Sequence, residues 1–114
     1  MSTGSPLARE ACEACTGSTP VVAGAEREAL LGELHEDWRV SEDGLELVRR
    51  FRFRDFAEAF AFALRVAFIA EAEEHHPDLL VGWGRCEVRL TTHAVHGLTR
   101  NDFIVAAKVD RILG

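Results

Sequence analysis

The chain has 114 residues, enough for one domain around one hydrophobic core, with 47% hydrophobic and 28% charged residues, the balance of an ordinary globular protein. No run approaches the roughly 18 apolar residues of a membrane span, and the net charge of −6 argues against a non-specific grip on nucleic acid or an anionic bilayer. The N-terminus carries no basic-then-apolar signal peptide, and three cysteines, which cannot all pair within one chain, fit a reduced, cytoplasmic protein.

Residues 1–24 read as a flexible tail, rich in Ser, Thr, Gly and Pro and without periodicity, ahead of a domain over 25–114. Within the tail lies Cys12-Glu13-Ala14-Cys15. A single C-x-x-C lacks the second pair that a structural zinc site needs, and no βαβ pattern surrounds it as in a thioredoxin-type redox motif. From Ala25 to about His35 the pattern turns helical, with Leu30, Leu31 and Leu34 on one stripe. Trp38-Arg39-Val40 then starts a short strand, and Asp43-Gly44 supplies a tight turn. On the returning strand Leu45, Leu47, Phe51 and Phe53 face one way, and Glu46, Arg50, Arg52 and Arg54 the other. Val48 and Arg49 break that alternation.

Asp55, with Glu58 three residues on, caps a helix expected to run to about Glu74. Phe56, Phe60, Ala63, Leu64, Ala67 and Ala70 form one apolar arc, and Phe62, Val66 and Ile69 widen it. One sheet face cannot cover so wide an arc in a small chain. The helix is therefore expected to pack on its own sheet and, through Phe62, Val66 and Ile69, on another subunit.

The helix ends in Glu71-Ala72-Glu73-Glu74-His75-His76-Pro77. Pro77 disfavours helical geometry in the residue before it. Glu71, one turn ahead of His75, is expected to hold that imidazole. A helix C-terminus also favours imidazolium through the macrodipole, which is a purely structural reason for both histidines.

A second hairpin follows. Leu79-Leu80-Val81 is a short apolar run, and Gly82-Trp83-Gly84 a turn. Cys86, Val88, Leu90 and Thr92 alternate with Arg85, Glu87, Arg89, Thr91 and His93, which puts His93 on the polar face at the strand's end. Thr99 caps a last helix with Asp102 at its third position. The order α-β-β-α-β-β-α predicts an α+β fold, a four-stranded antiparallel sheet with three helices on one face.

His75, His76 and His93 thus gather with the carboxylates Glu71 and Asp102 in one stretch of the chain. Adjacent histidines cannot chelate one ion from a regular helix, and no further ligand stands out beside His93, so no metal is expected. There is no G-x-S-x-G, P-loop or dinucleotide glycine fingerprint. General acid–base catalysis without a cofactor remains, with imidazoles moving protons and carboxylates fixing their tautomers.

The spaced set Glu71, His75-His76-Pro77, Trp83, Thr92-His93, Gly97-Leu98-Thr99 and Asp102 resembles the pterin-4a-carbinolamine dehydratases. Upstream the likeness takes in Trp38, Phe51-Arg52-Phe53, Asp55-Phe56 and Ala59-Phe60, so it spans about residues 25–113. Cys12-Glu13-Ala14-Cys15, Leu79-Leu80 and Asn101-Asp102-Phe103 are similar to the bacterial branch that accompanies phenylalanine hydroxylase. Trp83 stands where many members carry tyrosine, and Leu79 where many carry tryptophan.

The resemblance implies a hydro-lyase, 4a-hydroxytetrahydrobiopterin dehydratase, that removes water from pterin-4a-carbinolamine to give the quinonoid dihydropterin. It implies His75 and His93 as acids toward the hydroxyl, His76 as the residue orienting the pterin, and Asp102 as the group polarising the site. Glu71 would hold His75, and Pro77 and Trp83 would help shape the pterin site. It implies dimers pairing into tetramers, while the acidic net charge argues against a direct nucleic-acid partner. Members of the family also act as non-catalytic binding modules, either as rubisco assembly factors or as cofactors for transcription-factor dimerisation. Retention of all three histidines and Asp102 favours the enzyme.

Overall fold

A computed structural model describes residues 6–114. Its elements are α1 (Gly24–Leu31), β1 (Arg39–Val40), β2 (Leu47–Arg52), α2 (Phe56–Glu73), β3 (Asp78–Gly82), β4 (Arg85–Leu90) and α3 (Arg100–Asp110), with short 3-10 turns at Pro6–Arg9 and His93–Val95. The strands pair antiparallel in the order β1-β2-β4-β3. The helix order and the open four-stranded sheet are those the sequence predicts. Because α2 crosses between the two hairpins, β2 and β4 meet at the centre, from Leu47 opposite Leu90 to Arg52 opposite Arg85. The second hairpin turns on Trp83-Gly84, where Gly84 sits at φ +73° and an added Cβ would lie 3.2 Å from the Phe53 carbonyl.

One sheet face carries Leu47, Phe51, Cys86, Val88 and Leu90 into a core shared with Leu30, Phe62, Val66, Phe103, Val105 and Val109. Arg49 shares that face, which accounts for the broken alternation in β2. Its guanidinium donates to Asp110 at 2.7 Å and lies 4.1 Å from the Phe51 ring centroid. Trp38 Nε1 donates to the same carboxylate oxygen at 2.7 Å, so the end of α3 is tied to both β1 and β2. The opposite face exposes Arg50 and Arg52 but buries Glu87. Burial alone would raise the Glu87 carboxyl. Hydrogen bonds from Arg89 (2.7 Å) and Arg50 (3.2 Å) outweigh it and hold the group below its ordinary range.

Two expectations are corrected. The segment from residue 6 to Val22, read as a flexible tail, is packed: Leu7, Ala8 and Val22 are buried, and Val22 N–H donates to Leu98 O at 2.9 Å. A Ser/Thr/Gly/Pro-rich composition hides these isolated apolar anchors. The first five residues of that expected tail lie outside the described residues.

The second correction concerns α2. Phe62 and Val66 face the protein's own core, with Phe62 4.5 Å from the Phe51 ring and 5.1 Å from Phe53, and Ile69 packs against the same core. The outward apolar face is Phe56, Phe60, Leu64 and Phe68, each between 50% and 68% exposed. With apolar residues on both sides of the wheel, periodicity could not say which side met the sheet.

Candidate active site

The site is built where α2 ends. Glu74 takes the left-handed conformation (φ 55°, ψ 38°), and the His75 N–H reaches back to Ala70 O at 3.2 Å. This Schellman-type reversal closes the helix one residue before the histidines rather than at Pro77. It also turns His75 toward α3, where His75 Nε2 meets Asp102 Oδ1 at 2.6 Å.

Asp102 is fully buried. Its other oxygen, Oδ2, accepts from the Thr99 N–H at 2.9 Å and the Thr92 hydroxyl at 2.8 Å, and the two threonine hydroxyls lie 2.9 Å apart. One carboxylate therefore closes the capping box of α3 and holds His75. A carboxylate accepts only, so these contacts assign the Nε2 proton to the His75 side of the bond. Among the described residues, no hydrogen bond is seen to the other ring nitrogen, Nδ1.

Glu71 does not hold His75. It meets His76, with Nε2 and Oε2 2.6 Å apart, and both side chains are largely exposed. The one-turn spacing to His75 fails because Glu74 reverses the chain between them. His93 follows Thr92 directly and opens the 3-10 turn that the Thr92–Gly97 bridge closes. It is exposed, as is His96. The chain therefore places His93 next to a residue bonded to the carboxylate that holds His75. Pro77 lies between His76 and β3. Trp83 lies at the far end of β3, with the five residues Asp78–Gly82 between it and Pro77, about 16 Å of strand. It is not brought to the histidines of its own chain.

Thr92 is the residue of this candidate site that reading by chemistry alone passes over. The signal is present: alternation in β4 puts a hydroxyl on the buried face, where it must find a partner. Cys86 is buried too, in the hydrophobic core, and burial pushes its thiol up to about 11. Among the described residues, no group of three or more His, Cys, Asp or Glu could hold a metal ion. No helix among them is long and apolar enough to cross a membrane.

The profile of the family described as pterin 4 alpha carbinolamine dehydratase matches residues 20–112. The chain belongs to that family. A relative from Legionella pneumophila (strain Corby), provisionally named a pterin-4-alpha-carbinolamine dehydratase, is 44% identical over 109 residues, covering 96% of each chain. One from Rubrobacter xylanophilus with the same provisional name is 46% identical over 108 residues, covering 95% of this chain and 99% of that relative. Among solved structures, a transcriptional coactivator/pterin dehydratase from Brucella melitensis superposes with a TM-score of 0.77 at 32% identity, over 83% of this chain and all of that one. A pterin dehydratase-like protein identified as a RuBisCO assembly factor in the alpha-carboxysome superposes with a TM-score of 0.60 at 27% identity, over 70% of this chain and 93% of that one. The carbinolamine dehydratase fold thus carries both dehydratase and assembly roles among its solved members.

Proposed function

We propose that the protein dehydrates 4a-hydroxytetrahydrobiopterin, or a close pterin, to the quinonoid dihydropterin. The observation that carries this reading is the buried His75–Asp102 hydrogen bond, which leaves one imidazole nitrogen working beside the chain that bears His93. As imidazolium, His75 gives its Nδ1 proton to the C4a hydroxyl, which leaves as water. The N5 proton departs to a base or solvent, and the N5 electron pair closes the C4a–N5 double bond. Oxidation state is unchanged and no cofactor is needed. Asp102 fixes the orientation of the ring through the Nε2 hydrogen bond. His93 is the second acid toward the hydroxyl, and His76, steadied by Glu71, orients the pterin. Phenylalanine hydroxylase is the enzyme whose product this reaction would consume, in the cytoplasm.

The test is a dehydratase assay on freshly generated carbinolamine. Loss of the 4a-hydroxy species well above its spontaneous rate supports the enzyme. A rate equal to the spontaneous one rejects it and favours the assembly role of the carboxysome relative.

The outward face of α2 supports a homodimer or homotetramer. Leaving large apolar side chains in water forgoes about 1.5–3 kcal/mol each, and closed association covers the stripe on every subunit at once. Phe60→Glu or Leu64→Glu is expected to give a folded monomer by sedimentation. Val66→Glu would instead place a charge in the protein's own core, because Val66 is fully buried. A wild type that sediments as a 12.6 kDa monomer at micromolar concentration would reject the assembly.

A further inference from the structure

Residues 8–15 lie outside the span matched by the family profile, which begins at residue 20. They nevertheless run across the two elements that carry the His75–Asp102 pair. On the α2 side the contact is Glu73, two residues before His75. Its carboxylate accepts from the Cys12 N–H at 2.8 Å and lies 3.5 Å from Lys108 Nζ, which itself donates to Ala8 O at 3.0 Å.

On the α3 side the contact is Asn101, the neighbour of Asp102. Its amide embraces the Glu13 backbone, with Oδ1 accepting from Glu13 N–H at 3.1 Å and Nδ2 donating to Glu13 O at 2.6 Å. Both cysteines converge on the same residue. Asn101 Nδ2 donates to Cys15 Sγ at 3.1 Å, and the Cys12 thiol donates to Asn101 O at 3.7 Å. Burial and the nearby Glu73 charge push Cys12 up to about 12, so it remains a protonated donor near neutral pH. Arg100, on the other side of Asn101, grips Glu10 through two hydrogen bonds of 2.8 and 2.7 Å.

Each half of the catalytic couple is therefore tied, at a residue one or two positions away, to the same short stretch of chain. We propose that residues 8–15 form a strap that sets the geometry of the His75–Asp102 hydrogen bond through two positioning residues, Glu73 and Asn101. Among the described residues, neither side chain is hydrogen-bonded to His75 or Asp102, so the effect passes through backbone placement. The C-x-x-C motif has its role here as a latch on Asn101.

The role in turnover rests on the dehydratase reading, but the strap itself is tested on the His75 ring. In uniformly labelled protein, the Nε2–H resonance of His75 is assigned by its loss in His75→Asn. Asn101→Ala and Glu73→Ala are expected to shift this resonance and speed its exchange with solvent by about tenfold or more. They should also lower kcat by about tenfold while KM stays within about twofold, the pattern of a mispositioned acid. Glu73→Gln keeps an acceptor for the Cys12 N–H and is expected to restore both readouts.

Variants that melt earlier but leave the His75 resonance and kcat as in the wild type would overturn the proposal, because the strap would then serve folding alone. If Asn101→Ala does not fold, the Glu73→Ala and Glu73→Gln pair decides. Should the wild type lack dehydratase activity, the resonance alone decides, and that failure falls on the function rather than the strap.

Discussion

Two histidine–carboxylate pairs stand side by side at the end of α2, with the same 2.6 Å separation and opposite surroundings. His75 and Asp102 are 10% and 0% exposed at the side chain, whereas His76 and Glu71 are 57% and 75% exposed. Asp102 is also held by two further donors, and no other hydrogen bond is seen to the Glu71 carboxylate among the described residues. Distance alone therefore says little about what a pair does. The buried pair fixes one orientation in a low-dielectric setting, where every contact is worth more. The exposed pair is screened by water and salt and can swing to meet a ligand.

The contrast can be broken in a graded way. Asp102→Ala should have the largest effect, lowering turnover by about 10³-fold and stability by about 3 kcal/mol as buried donors lose their acceptor. Steady-state kinetics and urea melts check it, and a turnover loss below about tenfold would put the two pairs on one footing. His76→Ala should lower turnover by about 10²-fold or more with little change in melting temperature, while His96→Ala should leave rates near wild type. Equal losses would show that His76 has no special place.

Thr92→Val keeps the shape and removes one donor to Asp102. It should cost about 1–2 kcal/mol in stability and about tenfold in turnover. Among the residues of the two pairs and their partners, the smallest effect belongs to Glu71→Gln, at most about fivefold in turnover, and 0.5 M salt in the assay should erase most of the difference. A Glu71→Gln loss as large as that of Thr92→Val would mean that the exposed pair acts as a unit.

Much of this could be read from residue order. Asp55 and Thr99 announced their helices because capping chemistry is local, and the alternation in β4 placed Thr92 inward. The partner of Glu71 was not legible, because the reversal at Glu74 uses a residue other than glycine in the left-handed region and so leaves no signal in the sequence. The outward face of α2 was misassigned because Phe56 and Phe62 are equally apolar, and it is the folded contacts of Phe62 with Phe51 and Phe53 that separate them. The strap escaped notice because hydrogen bonds from Asn101 to a backbone 88 positions away leave no periodicity to detect.

The clamp on Glu87 makes the fold a proton-linked system. A carboxyl held below its ordinary value of 4.5 binds its proton later in the native chain than in the unfolded one. Unfolding in acid therefore draws a proton in, and mass action by protons drives it. The contribution of Glu87 is fully present above about pH 4.5 and drains away as the pH falls through the lower native value. Glu87→Gln should consequently be less stable than the wild type at pH 7, with the gap between their urea midpoints narrowing as the solution is acidified. Arg50 and Arg89 would then be left facing each other across a neutral group, so acid loosens the outer sheet face from its middle.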